Sequence, residues 1–351
     1  MSVVKNIYFR KIIRPLRTTF STSLGQKDVM KSVIVKVRLR DGSEGIGECP
    51  TSFVLKNETI NAIENIIREV TPQLKAYPIE SYSEKIEKLR KQFPQNHMTI
   101  SGLEVALFRA YLEHKGTGEH ESFGGKLDLL ETDITVPYTT DVNALVKWIG
   151  YICKNGFTVY KIKVSGNMTD DKRLVAEVCH RLRDRMSTFT IRLDGNQGFT
   201  EKTCLRFLDF LTVNNYPVEL FEQPLPKDDY KGLKEISKCS PVSIILDETI
   251  FNEADLKRAV EDHLCHGINI KIAKSGISES LKLYNIAKKH GLKLMMGCMT
   301  ETMVGLSAGI NFAAGKGGFD YIDLDGIHFL HHRNVYGSIE MSGSKYILLS
   351  Q

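Results

Sequence analysis

Three short stretches decide how this chain reads: IRLDGNQG (191–198), VELFEQPLP (218–226) and SIILDETI (243–250). Each opens on an apolar run and reaches an acid, Asp194, Glu222 and Asp247, at intervals of 28 and 25 residues. That interval is one strand plus one helix of a parallel βα repeat. A barrel brings such strand ends to one rim. Three carboxylates meeting there repel one another unless a hard cation lies between them, and oxygen-only ligation suits Mg²⁺ better than Zn²⁺. Any one of these aspartates alone reads equally well as a helix N-cap in a βα loop.

Outward from these stretches the same rhythm continues. From about residue 130, strand candidates alternate with amphipathic helices, near ITVPY (134–138), TVYKIKV (158–164), FTIRLD (189–194), PVELFE (217–222), SIILDE (243–248), GINIKIA (267–273), LKLMMG (292–297) and FDYIDLD (319–325). Eight such runs imply an α/β fold, a modified (β/α)8 barrel over 128–325. Residues 1–127 break the rhythm. VIVKVRLRDGSEGIGE (33–48) reads as a hairpin turning at Asp41-Gly42. Two helices follow, NETINAIENIIREV (57–70) and SGLEVALFRAYLEHKG (101–116), the second with Ser101 and Glu104 in capping-box positions and Gly116 as its stop. This is an N-terminal α+β capping domain with a mobile specificity loop near 16–31. The glycines of its GIG (45–47) lack a third glycine and a following helix, so a dinucleotide site has no support. The tail, 326–351, is expected to pack back on the cap.

Composition excludes several classes. The 351 residues are 42% apolar and 25% charged, enough for a large core. A net charge of +5, without interleaved aromatic platforms, gives no basis for nucleic-acid binding. The sequence has no membrane-length apolar run and no signal-peptide core, so no membrane partner and a cytoplasmic location are expected. Seven scattered cysteines without a CxxC pair read as reduced thiols. Neither Cys265 with His266 nor His331 with His332 has the other half of a zinc motif.

On the second strand candidate, Lys161 and Lys163 share a face because strand side chains alternate. A parallel strand covered on both sides does not leave a Lys-Ile-Lys pattern in solvent, so both lysines enter the barrel mouth. Lys271 ends the sixth candidate, across the ring from Lys163. Two bases addressing opposite faces of one carbon suit racemisation or epimerisation, and burial with the neighbouring positive charge of Mg²⁺ and Lys161 is expected to lower the pKa values of Lys163 and Lys271. Lys274, beyond the strand end, is expected in solvent.

KIK, LDGNQG, FEQP, LDE and NIK, in this order and spacing, resemble the muconate-lactonizing subgroup of the enolase superfamily, a superfamily whose lysine base and Mg²⁺ chemistry is well described. The resemblance implies one Mg²⁺ per subunit on Asp194, Glu222 and Asp247, with Asn196 and Glu248 as partners of those ligands. It implies Lys163 and Lys271 as the acid/base pair, and Lys161 as a partner of the substrate carboxylate. Asp323 and Asp325 share one face of the eighth candidate, where they suit a cation or a helix cap. They look like the paired aspartates of dipeptide epimerases, which implies that they receive a free α-ammonium. Cys298, Met299 and Thr300 after the seventh strand, and Thr135 on the first, resemble that group's substrate-lining residues.

The expected activity is therefore Mg²⁺-dependent inversion of the C-terminal residue of an L-Ala-Xaa dipeptide, through an enediolate, by a homo-oligomer. Relatives acting on Ala-Glu resemble one another in carrying an arginine in the cap loop. Here RTTFSTSLGQKDVMKS (17–32) has only Arg17, early, with Lys27 as a substitute, which points to broad tolerance with a neutral or hydrophobic Xaa. Alternatives at this point are an L-Ala-D/L-Glu epimerase, an N-succinylamino acid racemase, an o-succinylbenzoate synthase and a muconate cycloisomerase; from another class, a catalytically silent binding barrel. The superfamily's sugar-acid dehydratases typically carry a histidine where this chain has Gly297 and Cys298.

Overall fold

The computed structural model describes residues 2–52, 55–331 and 336–349; His332 lies outside them. The cap begins with a three-stranded antiparallel sheet in the order β1-β2-β3, made of β1 (Val4–Thr22), β2 (Gly25–Leu39) and β3 (Glu44–Pro50). Helices α1 (Ile60–Leu74), α2 (Tyr82–Gln92) and α3 (His97–Lys115) cover it, and a short α4 (Glu119–Ser122) follows. Alternation along β2 sends Val33, Val35, Val37 and Leu39 into a core with Ile63, Ile67, Val70, Ile100 and Leu103.

The GIG has a packing role. A Cβ on Gly45 would lie 2.0 Å from the Ala106 carbonyl oxygen, and one on Gly47 2.0 Å from that of Gly102, so the bare backbone of β3 lets α3 lie directly on it. Helix α3 starts one turn earlier than its capping-box pattern indicates, at His97, and stops where expected, at Gly116 with φ 65°. Ser101 and Glu104 are thus buried inside the helix rather than at its end. What satisfies the orphan amides of this helix is Glu58, whose carboxylate accepts from the backbone N of Met98 at 2.7 Å and of Thr99 at 3.2 Å.

The stretch 16–31 is not a loop. It is strand on both sides of a two-residue tip at Ser23 and Leu24, and the ribbon crosses the barrel mouth. Ser23 Oγ lies 2.6 Å from the Asn196 carbonyl oxygen and donates to it.

The barrel contains all eight expected strands, β5 (Ile134–Val136), β6 (Val159–Lys163), β7 (Thr190–Asp194), β8 (Val218–Glu222), β9 (Ser243–Leu246), β10 (Gly267–Lys271), β11 (Lys293–Gly297) and β12 (Tyr321–Asp323), parallel and in sequence order. A still earlier strand, β4 (Leu129–Glu131), precedes them. The intervening helices are α5 (Val142–Cys153), α6 (Met168–Arg183), α7 (Glu201–Val213), α8 (Tyr230–Cys239), α9 (Glu253–Glu261), α10 (Ile272–Lys289) and α11 (Met303–Lys316). Between β12 and β5 the ring closes on one backbone bond, Asp133 N to Ile322 O at 3.2 Å, and two bonds to side chains. Leu324 N donates to Thr132 Oγ1 at 2.7 Å, and Thr135 N donates to Asp325 Oδ2 at 2.6 Å.

The tail divides. Leu330 and His331 accept from Arg17 of the cap, at 3.0 Å each. The last hairpin, β13 (Ile339–Ser342) and β14 (Lys345–Leu348), pairs instead with β4 at the barrel entrance, contrary to the expectation that the whole tail returns to the cap. Among the described residues no helix is long and apolar enough to cross a membrane.

Candidate active site

Asp194 and Glu222 are direct register partners at the ends of β7 and β8, and Asp247 stands just past β9. All three are buried. Each meets lysine. Lys163 Nζ donates to Asp194, and Lys271 Nζ lies 2.6 Å from Asp247 Oδ2 and 3.8 Å from Glu222 Oε1. Lys161 Nζ lies 3.3 Å from Glu222 and 3.9 Å from Asp194, and also donates to Asp323. The strands carrying Lys163 and Lys271, β6 and β10, are four places apart in a ring of eight, so the two amines enter from opposite walls.

Lys274 corrects the reading made from sequence. It is 4% exposed, and its Nζ sits 2.6 Å from both Asp247 Oδ1 and the Asp247 carbonyl oxygen. The neighbouring acids, rather than burial, decide the charge of two of the lysines. Burial disfavours the ammonium form of Lys271, but Asp247 and Glu222 outweigh it and hold the group above its ordinary value. For Lys161, burial is likewise overcome, by Asp323, Glu222 and Asp194, which hold it well above.

Around this core Asn196 Nδ2 donates to Glu248 Oε1 at 3.2 Å, and Asn196 N to Asp194 Oδ1 at 2.9 Å. Burial, reinforced by Asp247 and Asp194, pushes the Glu248 carboxyl up to about 8. Two residues missed in the sequence complete the acid rim. Asn269, two positions before Lys271 on the same face of β10, donates to Glu222 Oε1 at 2.7 Å. Gln223 Oε1 accepts from Asp247 N at 3.0 Å and Thr249 N at 3.1 Å, tying the ends of β8 and β9. Alternation from Lys271 points to the first; the second carries no signal of its own.

The donor set fits a hard divalent cation. Every ligand candidate is a carboxylate oxygen, and next to them Glu248 Oε2 and Asn269 Oδ1 are buried without a hydrogen-bond partner. The tightest acid cluster among the described residues is a different one, Asp133, Asp323 and Asp325, whose oxygens lie within 4.8 Å of one another. Its members already have partners: Arg192 donates to Asp133 at 2.8 Å, Lys161 to Asp323 and Thr135 N to Asp325. Buried oxygens of Asp133 and Asp323 still have no partner, and of these two acids Asp323 lines the pocket.

One pocket of about 840 Å³, counting its open mouth, joins these groups. Its polar lining includes Thr135, Lys161, Lys163, Lys271, Asp323 and Asp325, with the Cys298–Thr300 turn beside them. Its apolar lining includes Phe20 from the ribbon, Leu55 and Met98 from the cap, Phe251 from the barrel and Phe329 from the start of the tail. Lys27 also lines it, and burial pulls its amine down to about 8. Arg17 is turned away onto the tail and the Tyr151 ring. Cys298 carries a thiol that burial, then Asp325, raises well above the usual range, which leaves it a packing group.

Residues 145–348 match the family described as "Enolase C-terminal domain-like", and residues 5–124 the "Mandelate racemase / muconate lactonizing enzyme, N-terminal domain". The L-Ala-D/L-Glu epimerase of Thermotoga maritima is 32% identical over 92% of this chain and 90% of its own. An aromatic dipeptide epimerase of Herpetosiphon aurantiacus is 30% identical over 97% and 95%. The dipeptide epimerase of Enterococcus faecalis, solved with Mg and L-Leu-L-Tyr, superposes with a TM-score of 0.89 at 25% identity, covering 99% of this chain and 97% of that one.

Proposed function

The chain belongs to the enolase superfamily, in its mandelate racemase/muconate lactonizing branch, and on that premise we propose that it is a Mg²⁺-dependent isomerase that epimerises dipeptides. The observation that carries this reading is the pair of lysines, Lys163 and Lys271, entering one pocket from opposite walls beside a rim of three acids. Epimerisation needs a base on each face of the α-carbon, and few other reactions do.

Asp194, Glu222 and Asp247 would hold the ion, whose charge favours the substrate carboxylate as it takes on enediolate character. Lys161 faces the same charge as a fixed ammonium. One of Lys163 and Lys271 removes the α-proton; the other returns a proton from the far side, inverting the centre. Asp323 and Asp325 receive the dipeptide's α-ammonium, with Thr135 holding Asp325 in place and the Cys298–Thr300 turn closing the wall. An ammonium requirement separates this reading from N-succinylamino acid racemisation, o-succinylbenzoate synthesis and muconate cycloisomerisation, whose substrates bring no such group.

For the second residue of the dipeptide, the apolar lining by Phe20, Leu55, Met98, Phe251 and Phe329 favours neutral or hydrophobic side chains over glutamate. Following α-proton exchange in D₂O across L-Ala-Xaa dipeptides, with Mg²⁺ and with EDTA, tests both parts. Mg²⁺-dependent exchange strongest for apolar Xaa is expected. Exchange confined to Ala-Glu would reject the specificity, and exchange confined to N-acylated substrates would reject dipeptides altogether.

A further inference from the structure

The segment that carries Lys271 is unusual in its backbone. In KIAKSGIS (271–278) Lys271 ends β10, one helical turn follows, and the helix is then broken at Gly276, with φ 69° and ψ −173°, before it resumes toward Lys289. Three backbone groups around this kink bond to side chains of the cap. Ser278 N donates to Glu104 Oε1 at 2.8 Å, the Ser275 carbonyl oxygen accepts from Arg90 at 2.7 Å, and that of Lys274 accepts from Ser101 Oγ at 3.2 Å. Glu104 is the hub. Fully buried on α3, it takes Ser278 Oγ as well, at 2.5 Å, and its other oxygen binds Arg90 at 2.7 Å.

The fit is close enough to need glycine. A Cβ at Gly276 would fall 2.0 Å from Glu104 Oε2, and the positive φ independently disfavours a side chain. At the other end of the same turn, Lys271 and Lys274 converge on Asp247. The turn is therefore pinned at one end by Asp247 and at the other by a carboxylate from the cap. Among the described residues the backbone past Lys163 has no comparable attachment to the cap: Ser165 N and Gly166 N are held by Asp171 within the barrel, and the Lys163 amine meets the cap through the Phe20 ring, 5.7 Å from its centroid.

We propose that Glu104 is a positioning residue for Lys271: by binding across the Gly276 kink it fixes the turn that aims this lysine, and leaves Lys163 untouched. The inference rests on the two-lysine reading of the site. It gives the cap a hold on the backbone behind one of the two lysines only.

The cap offers an internal comparison. Glu48 of β3 is also buried and also caps a barrel helix, accepting from Thr302 N and Gly305 N at 3.1 Å each, but the turn it holds is the substrate-lining one before α11. Exchange rates in D₂O would be measured with Mg²⁺ for both epimers of one L-Ala-Xaa dipeptide, Lys163→Ala and Lys271→Ala identifying which epimer each lysine serves. In Glu104→Gln, exchange of the epimer served by Lys271 is expected to fall at least ten-fold more than that of the other, with KM changed alike for both. Ser278→Ala, a milder change that keeps the carboxylate, is expected to show the same asymmetry at about three-fold, and Glu48→Gln to slow both epimers equally. Amide hydrogen exchange of Glu104→Gln, read without substrate, is expected to quicken over 271–278 and not over 158–164. Equal slowing of both epimers in Glu104→Gln and Ser278→Ala, or unchanged amide protection over 271–278, overturns the inference. A wild type that exchanges neither epimer defeats the proposed function instead, and the amide measurement still decides whether Glu104 fixes the turn.

Discussion

Asp323 accepts from Lys161 through one oxygen and keeps the other buried without a partner, so it is a charged acceptor with capacity to spare. A charge-assisted bond to an ammonium contributes about 1.5–3 kcal/mol. Asp323→Asn is accordingly expected to raise KM for a free dipeptide by roughly ten- to a hundred-fold, and N-acetylation of the substrate to have a similar effect on the wild type. Steady-state kinetics on the free and acetylated dipeptide checks both. Glu301 gives a pH dependence whose sign can be worked out. Burial, then the neighbouring Glu48, raises its carboxyl from 4.5 to about 8. Between those values the folded chain holds a proton that the unfolded chain has released, so stability falls as pH rises through that window. Thermal melts from pH 5 to 9 are expected to show a shallower decline in Glu301→Gln than in the wild type. Among single residues, the acids and Lys161, Lys163 and Lys271 were legible because each ends or lines a strand whose face is fixed by alternation. Lys274 was not, because it lies three residues past the end of β10, where strand alternation no longer fixes the direction of a side chain.

At the scale of elements, β3 and α3 pack backbone to backbone. A methyl at Gly47 meets the Gly102 carbonyl oxygen, and overpacking of this kind costs typically about 1–3 kcal/mol. Gly47→Ala is expected to lower the melting temperature by several degrees while leaving the barrel's chemistry intact wherever the protein stays folded, which calorimetry beside exchange kinetics would show. The same pair of elements shows where local patterns mislead. Ser101 and Glu104 match a capping box in sequence, yet α3 begins at His97 and both residues serve the interface with α10. A motif of side chains alone does not distinguish a cap of its own helix from a cap of another. The sequence suggests a loop at 16–31 for a related reason: its small polar residues suit a turn, while pairing of β1 with β2, which runs out to Thr22 and Gly25, makes it a ribbon.

For the whole molecule, the order of the eight barrel strands could be read from the alternation of apolar runs and helices, since parallel repeats leave few other topologies. Two long-range features could not. The seam between β12 and β5 is closed largely by side chains, and the final hairpin chooses β4 over the cap. Specificity is a property of this scale too, because the pocket wall combines Phe20 of the ribbon, Leu55 and Met98 of the cap, Phe251 of the barrel and Phe329 of the tail. Phe20→Ala is expected to weaken catalysis on aromatic and branched Xaa by about ten-fold or more, from lost apolar contact of roughly 1.5–3 kcal/mol, and to affect L-Ala-L-Ala little; kcat/KM across the panel measures it.

The central claim, two lysines on opposite faces of one carbon, is tested most directly by α-proton exchange in D₂O with Lys163→Ala and Lys271→Ala, each given both epimers in the presence of Mg²⁺. Each variant should fail to epimerise yet still exchange one epimer, and the two variants should retain opposite ones. Retention of the same epimer by both, or continued epimerisation by either, would contradict the account.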